Sequence, residues 1–216
     1  MKAVRFADDQ AMVAATQKGL QEIMTVLHDT SQEYGMRINM KKTKVMRISR
    51  KEGRKLKILI EGHKLDQVEQ FVYLGSLVTE DGRCTKEVRR RIALGKTAFS
   101  KRKELLRGSL SLGLKKRMVK VLVWSVVLYG SKTWTLTQEN ISLEAFEMWI
   151  WRRMMKIPWT QHASNEQILG MVDESRSLME SLRKRQKNWI GHVLRHDSLL
   201  QKVIEGRFQG KKTPIR

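Results

Sequence analysis

At Gly82 the hydrophobic rhythm of this chain changes, and that change limits what it can fold into. Before Gly82, apolar residues come in short alternating runs separated by turn residues; after it they recur every three or four positions almost to the end. Lys2 to Ala15 reads as two short strands around Asp8-Asp9, with Val4 and Phe6 alternating before the pair and Met12 to Ala15 apolar after it. Leu20, Ile23, Met24 and Leu27 form one helical stripe, and Gly35 is placed to end that helix in a left-handed conformation. Val45 to Ile48, Lys57 to Ile60 and Phe71 to Leu77 are expected strands, with turns at Glu52-Gly53, Glu61-Gly62 and Glu80-Asp81-Gly82. Beyond the switch, Val88, Ile92, Gly95, Phe99 and Leu106 lie on a helical stripe. A second helix is expected over Leu114 to Tyr129 and a third over Glu139 to Ile157, stopped by Pro158. Ser164 and Gln167 have capping-box spacing for a short fourth helix, and Leu178, Leu182, Trp189 and Val193 mark a long last one. The tail from Gly206 is basic and expected to fray. The expected fold is therefore α+β followed by α, with a boundary near Gly82 and no internal repeat.

Charge bounds the partners. Lys and Arg number 43 against 22 Asp and Glu in 216 residues, a net charge of +21. Such an excess repels itself in a compact state and asks for a polyanion, nucleic acid before an acidic membrane surface. The cations cluster on the helical part: Arg89, Arg90 and Arg91, then Lys101, Arg102 and Lys103, then Lys115, Lys116 and Arg117, then Arg183, Lys184, Arg185 and Lys187. They could neutralise phosphates without reading sequence, or be no more than solvated helix faces; the overall excess favours binding. Cys84 is the only cysteine, which rules out an intrachain disulfide and a cysteine-rich zinc site, and no disulfide-linked partner is expected. The first residues carry no apolar signal core, and Val121 to Tyr129 is far shorter than the roughly 20 residues of a membrane span. Nucleus or cytoplasm is the expected location, with no membrane partner, and the Asn140-Ile141-Ser142 sequon is read as chance.

Phe6-Ala7-Asp8-Asp9 is the sharpest local feature. Two adjacent carboxylates at a hairpin tip crowd negative charge, and magnesium takes one or two carboxylates together with substrate phosphates. In isolation an Asp-Asp pair in an exposed turn is the commoner reading. The six tryptophans could stack on bases, although their helical spacing favours core packing. His192 and His196 have the spacing of a helical metal pair but stand in no protease-like motif.

Order and spacing add a resemblance to the reverse transcriptases of non-LTR (LINE-type) retrotransposons, most like the RTE clade. Phe6-Ala7-Asp8-Asp9 resembles their catalytic palm hairpin. About thirty residues on, Gly35-Met36-Arg37-Ile38-Asn39-Met40-Lys41-Lys42-Thr43 resembles the next motif, and Phe71-Val72-Tyr73-Leu74-Gly75 is similar to the primer-grip strand. Leu128-Tyr129-Gly130-Ser131-Lys132-Thr133-Trp134 and Phe146-Glu147-Met148-Trp149 to Trp159 look like the thumb and the segment beyond it. Arg185-Gln186-Lys187-Asn188-Trp189-Ile190-Gly191-His192-Val193-Leu194 matches a signature late in these polyproteins.

The resemblance implies an RNA-directed DNA polymerase fold in pieces: residues 1–82 a partial palm, 83–137 a thumb-like helical region, and 138–216 a basic helical extension. It implies that Asp8 and Asp9 are magnesium-site carboxylates, with magnesium expected from the family but weak or absent in this fragment, that Lys42 approaches the triphosphate, and that Tyr73, Leu74 and Gly75 hold the primer end. It also implies contacts to RNA or DNA through Arg89, Arg90, Lys101, Arg102, Lys115, Lys116, Arg183 and Lys184. The family completes its metal site with a third carboxylate from an earlier strand, and none of Asp29, Glu33 or Glu61 stands in a motif that replaces it. The chain is accordingly expected to be a truncated, catalytically incomplete fragment whose palm sheet has an open apolar edge. Gly210 to Arg216 resembles the start of a basic segment that continues in relatives. The alternative is a basic helical structural or adaptor protein in which the Asp-Asp turn is incidental.

Overall fold

The computed structural model describes residues 2–49, 55–135 and 139–206, and within it the chain forms two compact units, Met1–Arg83 and Cys84–Arg216. The first is α+β and the second is helical, so the mixed class expected from the change of period is the one observed. The expected turn at Glu52-Gly53 and the segment Gly210 to Arg216 lie outside the described residues.

In the first unit, β1 (Lys2–Phe6) and β2 (Asp9–Val13) form an antiparallel hairpin, Phe6 paired with Asp9. Helix α1 (Gln17–Glu33) follows, opened by Thr16, whose hydroxyl accepts the Gly19 N–H. It closes as the sequence predicts. Gly35 takes φ 70°, the Met36 N–H donates to Ser31 O at 2.8 Å and the Gly35 N–H to Gln32 O at 2.9 Å, the paired bonds of a Schellman cap. The apolar stripe of α1 packs Met24, flanked by Leu20 and Leu27, onto Val45, Ile58, Ile60 and Leu65.

The strands after α1 are shorter than expected. Instead of Val45–Ile48 and Lys57–Ile60 the chain has β3 (Lys44–Val45) and β4 (Leu59–Ile60), with β5 (His63–Lys64) and β6 (Asp66–Gln67) as partners absent from the sequence reading. One reason is visible in α1: the Gln21 amide donates to Leu59 O and accepts the Leu59 N–H, both at 2.8 Å, so a side chain takes the place of a neighbouring strand. β4 and β5 join through a turn at Glu61 and Gly62, both at positive φ as a type I′ hairpin requires. β3 and β6 pair in parallel. Each sheet of the described residues has two strands, so no single open sheet is formed among them, and β2, β3 and β4 pack against α1 in one apolar cluster.

Phe71 to Leu77 is likewise not one strand. Leu74 at φ 46° and Gly75 at φ 78° turn the chain, splitting the run into β7 (Gln70–Tyr73) and β8 (Ser76–Thr79) with Tyr73 opposite Ser76. Leucine rarely adopts that conformation, so the turn carries no recognisable turn signal.

The second unit opens with α2 (Thr85–Ser100) and α3 (Lys103–Arg107), then α4 (Leu112–Leu122) and α5 (Trp124–Val127), which break the expected Leu114–Tyr129 helix at Val123. α6 (Glu139–Met154) ends before Pro158 rather than at it. Lys156 at φ 59° closes the helix, with the Ile157 N–H donating to Arg152 O at 3.0 Å. α7 (Asn165–Val172) carries the predicted capping box: Ser164 Oγ accepts the Gln167 N–H and Gln167 Oε1 accepts the Ser164 N–H. α8 (Ser177–Leu194) matches the expected last long helix, and α9 (Leu199–Ile204) follows it.

Aromatic rings run through the mainly aliphatic core of this unit. Trp124 lies 5.4 Å from Trp151 and 6.3 Å from Phe146 between ring centroids, and Phe146 stacks on Trp149 at 6.2 Å. Trp124, Trp134 and Trp151 are buried, and Trp149 and Trp189 are half-buried, so packing accounts for the tryptophan spacing. At Gly95 α2 comes close to its neighbours: a Cβ there would sit 2.3 Å from Val127 Cγ2 and 2.9 Å from Phe146 Cζ.

Glu147 is the polar exception in this core. At 1% exposure it accepts the Ser177 hydroxyl and the Leu178 N–H, both at 3.1 Å, and so caps α8 from across the bundle where Arg176 supplies no side-chain cap. Burial pushes its carboxyl above the usual range, against the lowering effect of those hydrogen bonds. The Trp151 indole also lowers it, without reaching good hydrogen-bond geometry: Trp151 Nε1 and Glu147 Oε2 are both buried and unpartnered among the described residues.

Candidate active-site hairpin and nucleic-acid interface

The β1–β2 hairpin places Asp8 in its two-residue turn and Asp9 at the start of β2. Ala7, at φ 50°, takes the strained first turn position where glycine is usual, a cost of roughly 1–2 kcal/mol. Both aspartates are exposed, and among the described residues neither carboxylate has a hydrogen-bond or ion-pair partner. The register puts Asp9 on the same face as Phe6, Val4, Ala11 and Val13. Phe6, Val4 and Val13 are 65%, 55% and 56% exposed, whereas Met12 on the opposite face packs toward the core. The acidic tip therefore ends an apolar, solvent-facing strip.

Tyr73 joins this hairpin to the next one: its hydroxyl donates to Val4 O at 3.3 Å. Leu74 and Gly75 form the turn of that second hairpin, so the Tyr-Leu-Gly sequence sits at its tip and is not the middle of a strand. The sequence signalled the first hairpin, but neither the turn at Leu74–Gly75 nor the bond between the two hairpins, which links residues 69 positions apart.

Lys42 is exposed in a loop built by Asn39. The Asn39 side chain accepts the Lys42 N–H at 3.1 Å, and its carbonyl accepts the Thr43 N–H at 2.9 Å and the Thr43 hydroxyl at 2.8 Å. That explains an Asn and a Thr four positions apart: they fix the backbone that presents Lys42.

Two exposed carboxylates without competing partners are hard oxygen donors, the type magnesium takes beside substrate phosphates. They fit as part of its ligand set. Among the described residues no group of three or more His, Cys, Asp or Glu could hold a metal ion. His192 and His196 pack edge to face, 4.7 Å between ring centroids.

The candidate cations fall into two sets. Arg89, Lys101, Arg183 and Lys184 are exposed, with no ion-pair partner among the described residues. The other four are engaged inside the fold. Arg90 pairs with buried Glu87 at 3.0 Å, Arg102 donates to Ala98 O, Lys115 donates to Gly108 O, and Lys116 donates to Asp173 O at 2.7 Å with Glu174 nearby. Arg91, from the same sequence run, is buried, pairs with Glu87 at 2.6 Å and lies 4.5 Å from the Tyr129 ring centroid. The run of arginines is thus partly a structural clamp on α2, which charge counting alone does not reveal.

Residues 1–78 match the family model described as reverse transcriptase (RNA-dependent DNA polymerase), so this stretch, which contains the turns of both hairpins, is reverse-transcriptase-like. The chain is 24% identical over 200 residues to a putative uncharacterized transposon-derived protein of Caenorhabditis elegans, covering 89% of this chain and 71% of that protein. No solved structure matches. No helix of the described residues is long and apolar enough to cross a membrane.

Proposed function

We propose that this chain is a reverse-transcriptase-derived, nucleic-acid-binding protein of the LINE-type, RTE-like kind, whose Asp8–Asp9 hairpin supplies two of the carboxylates of a polymerase metal site. The observation that carries the reading is the exposed Asp8–Asp9 pair, without a partner among the described residues, on a strained hairpin inside the stretch matching the reverse transcriptase family. The same match weighs against an incidental turn.

In this reading residues 1–82 are palm, 83–137 thumb-like and 138–216 a basic extension. Asp8 and Asp9 would hold a divalent cation at the hairpin tip, presented by the turn at Ala7. Magnesium bound there would activate a primer hydroxyl and stabilise the leaving pyrophosphate. Lys42 offers a cation to the triphosphate, and its loop is held by Asn39 rather than by contacts of Lys42 itself. Tyr73, through its bond to Val4, keeps the Leu74–Gly75 tip beside the catalytic hairpin, as a primer-holding element needs. Arg89, Lys101, Arg183 and Lys184 contact phosphates of RNA or DNA with little regard to sequence.

Two carboxylates from one hairpin leave a two-metal site short of ligands, so the 216-residue chain binds nucleic acid without polymerising on its own. Primer extension on an RNA template with magnesium tests this against Asp8→Ala. Incorporation by the chain that disappears in Asp8→Ala would show a complete enzyme and overturn the incompleteness; absence of RNA or DNA binding at low salt would overturn the whole reading.

A further inference from the structure

The helical unit contains a basic groove that no sequence motif marks. Its volume is about 690 Å³, and its lining includes Arg107 from the end of α3, Arg152 and Arg153 from the last turn of α6, and Lys156 from the turn after it. Among the described residues no Asp or Glu lines it. The smaller cavity on the other side of Ala145 and Met148 differs in kind: there Glu144 and Glu147 line the wall, and Arg176 pairs with Glu144.

Helix polarity explains part of the groove, because cations are favoured beside the C-terminal carbonyls of α6. That covers Arg152, Arg153 and the adjoining Lys156, and Arg107 stands likewise in the last turn of α3, but polarity does not require the cations of two helices to share one groove. Lys156 occupies a left-handed position, φ 59°, where glycine would sit without strain and a lysine side chain is not required by the cap. Arg107 Nε is buried with no hydrogen-bond partner among the described residues, and Arg107, Arg153 and Lys156 have no carboxylate partner there. Arg152 is held by Ala163 O and Asn165 Oδ1, which fixes its charge at the wall. Concentrating like charges in a concave site without counter-charge raises the local potential and favours an anion.

The tryptophan in the groove tells which part of a nucleic acid would be read. Trp149 stacks on Phe146 at 17° between ring planes, and the Arg153 guanidinium and the Lys96 ammonium lie 4.9 and 5.5 Å from its ring centroid. Its ring is occupied by neighbours, so it positions Arg153 and offers no platform for a base.

We infer that this groove is a phosphodiester-binding cleft, in which Arg107, Arg153 and Lys156 contact the backbone of an RNA or DNA strand independently of its sequence. The inference rests on the reading that the chain binds nucleic acid and says where.

The test is the salt dependence of binding of a labelled, mixed-sequence RNA to the full chain. It compares the unmodified protein with Arg107→Gln/Arg153→Gln/Lys156→Asn and with Lys57→Gln/Lys64→Gln/Lys86→Gln, which removes equal charge elsewhere. Asparagine tolerates the left-handed position, so the groove variant keeps the cap. The slope of log affinity against log salt should fall by roughly 2 to 3 in the groove variant, at ~0.7–0.9 per lost phosphate contact, with an affinity loss of about a hundredfold near 0.1 M salt. The control should change the slope little. Equal losses in both variants would show diffuse charge attraction and overturn the groove while leaving nucleic-acid binding intact. No binding by the unmodified protein would overturn both. Hydrogen exchange of the unmodified protein gives a readout that needs no variant: RNA should protect residues 107 and 149–157, and protection confined to other segments refutes the site.

Discussion

Gly95→Ala probes the packing that holds the helical unit together. Alanine is the better helix former by about 0.8–1.0 kcal/mol, so on propensity alone the substitution should stabilise α2. The structure reverses that expectation. The new methyl would lie 2.3 Å from Val127 Cγ2 and 2.9 Å from Phe146 Cζ, where ordinary carbon contacts are about 3.5–4.0 Å. Val127 and Phe146 are both almost wholly buried, at 0% and 2% exposure, and Phe146 is wedged between Trp124 and Trp149. Neither can swing into solvent, so α2 must shift. Overpacking of this kind costs typically 1–3 kcal/mol and sometimes more. With an overlap of more than 1 Å, the upper part of that range applies. After subtracting the propensity gain, the net loss should be about 2 kcal/mol. Urea denaturation followed by tryptophan fluorescence measures it, since Trp124, Trp149 and Trp151 report on the same core. An unchanged or raised midpoint would refute the close approach of α2 to Val127 and Phe146.

Further outcomes follow from the same structure. Ala7→Gly should raise the stability of the first unit by up to about 1 kcal/mol by relieving the positive φ, and Ala7→Val should lower it, both measurable by thermal denaturation. Glu147 gives a pH signature. Its folded pKa is raised above its ordinary value of 4.5, so the fold favours the protonated form, and this contribution is fully present below that value. It fades as pH rises through the elevated folded pKa, and Glu147→Gln should flatten stability over that window; an identical pH profile for the two proteins contradicts the burial argument. Glu147→Ala should instead cost about 2 kcal/mol near pH 4, because the Leu178 N–H loses its acceptor.

Much of the fold is legible in the residues themselves. The stripe of Leu20, Met24 and Leu27, the Gly35 stop and the Ser164–Gln167 box are local signals, and local structure obeys them. What stayed hidden depends on distant partners or on residues in unaccustomed conformations. Leu74 turns a chain that its pattern reads as strand, Lys156 ends α6 ahead of Pro158, and Gln21 replaces a strand for Leu59. The candidate site divides in the same way. Asp8 and Asp9 are visible because hairpin and motif coincide within a few residues. The basic surface is not visible, because whether a lysine is free is decided elsewhere: Lys116 is taken by Asp173 and Glu174, more than fifty residues away. The cations of the groove come from α3, α6 and the turn beyond, and no short window of sequence shows them together.

The direct test of the hairpin's role is paramagnetic broadening by manganese, a substitute for magnesium, in amide spectra of the full chain bound to a primer–template. The strongest broadening is expected at residues 6–10, and Asp8→Asn/Asp9→Asn should abolish it while leaving nucleic-acid affinity nearly unchanged. Broadening spread evenly over the acidic side chains, or persisting at the hairpin after both carboxylates are removed, would contradict a metal site at Asp8 and Asp9.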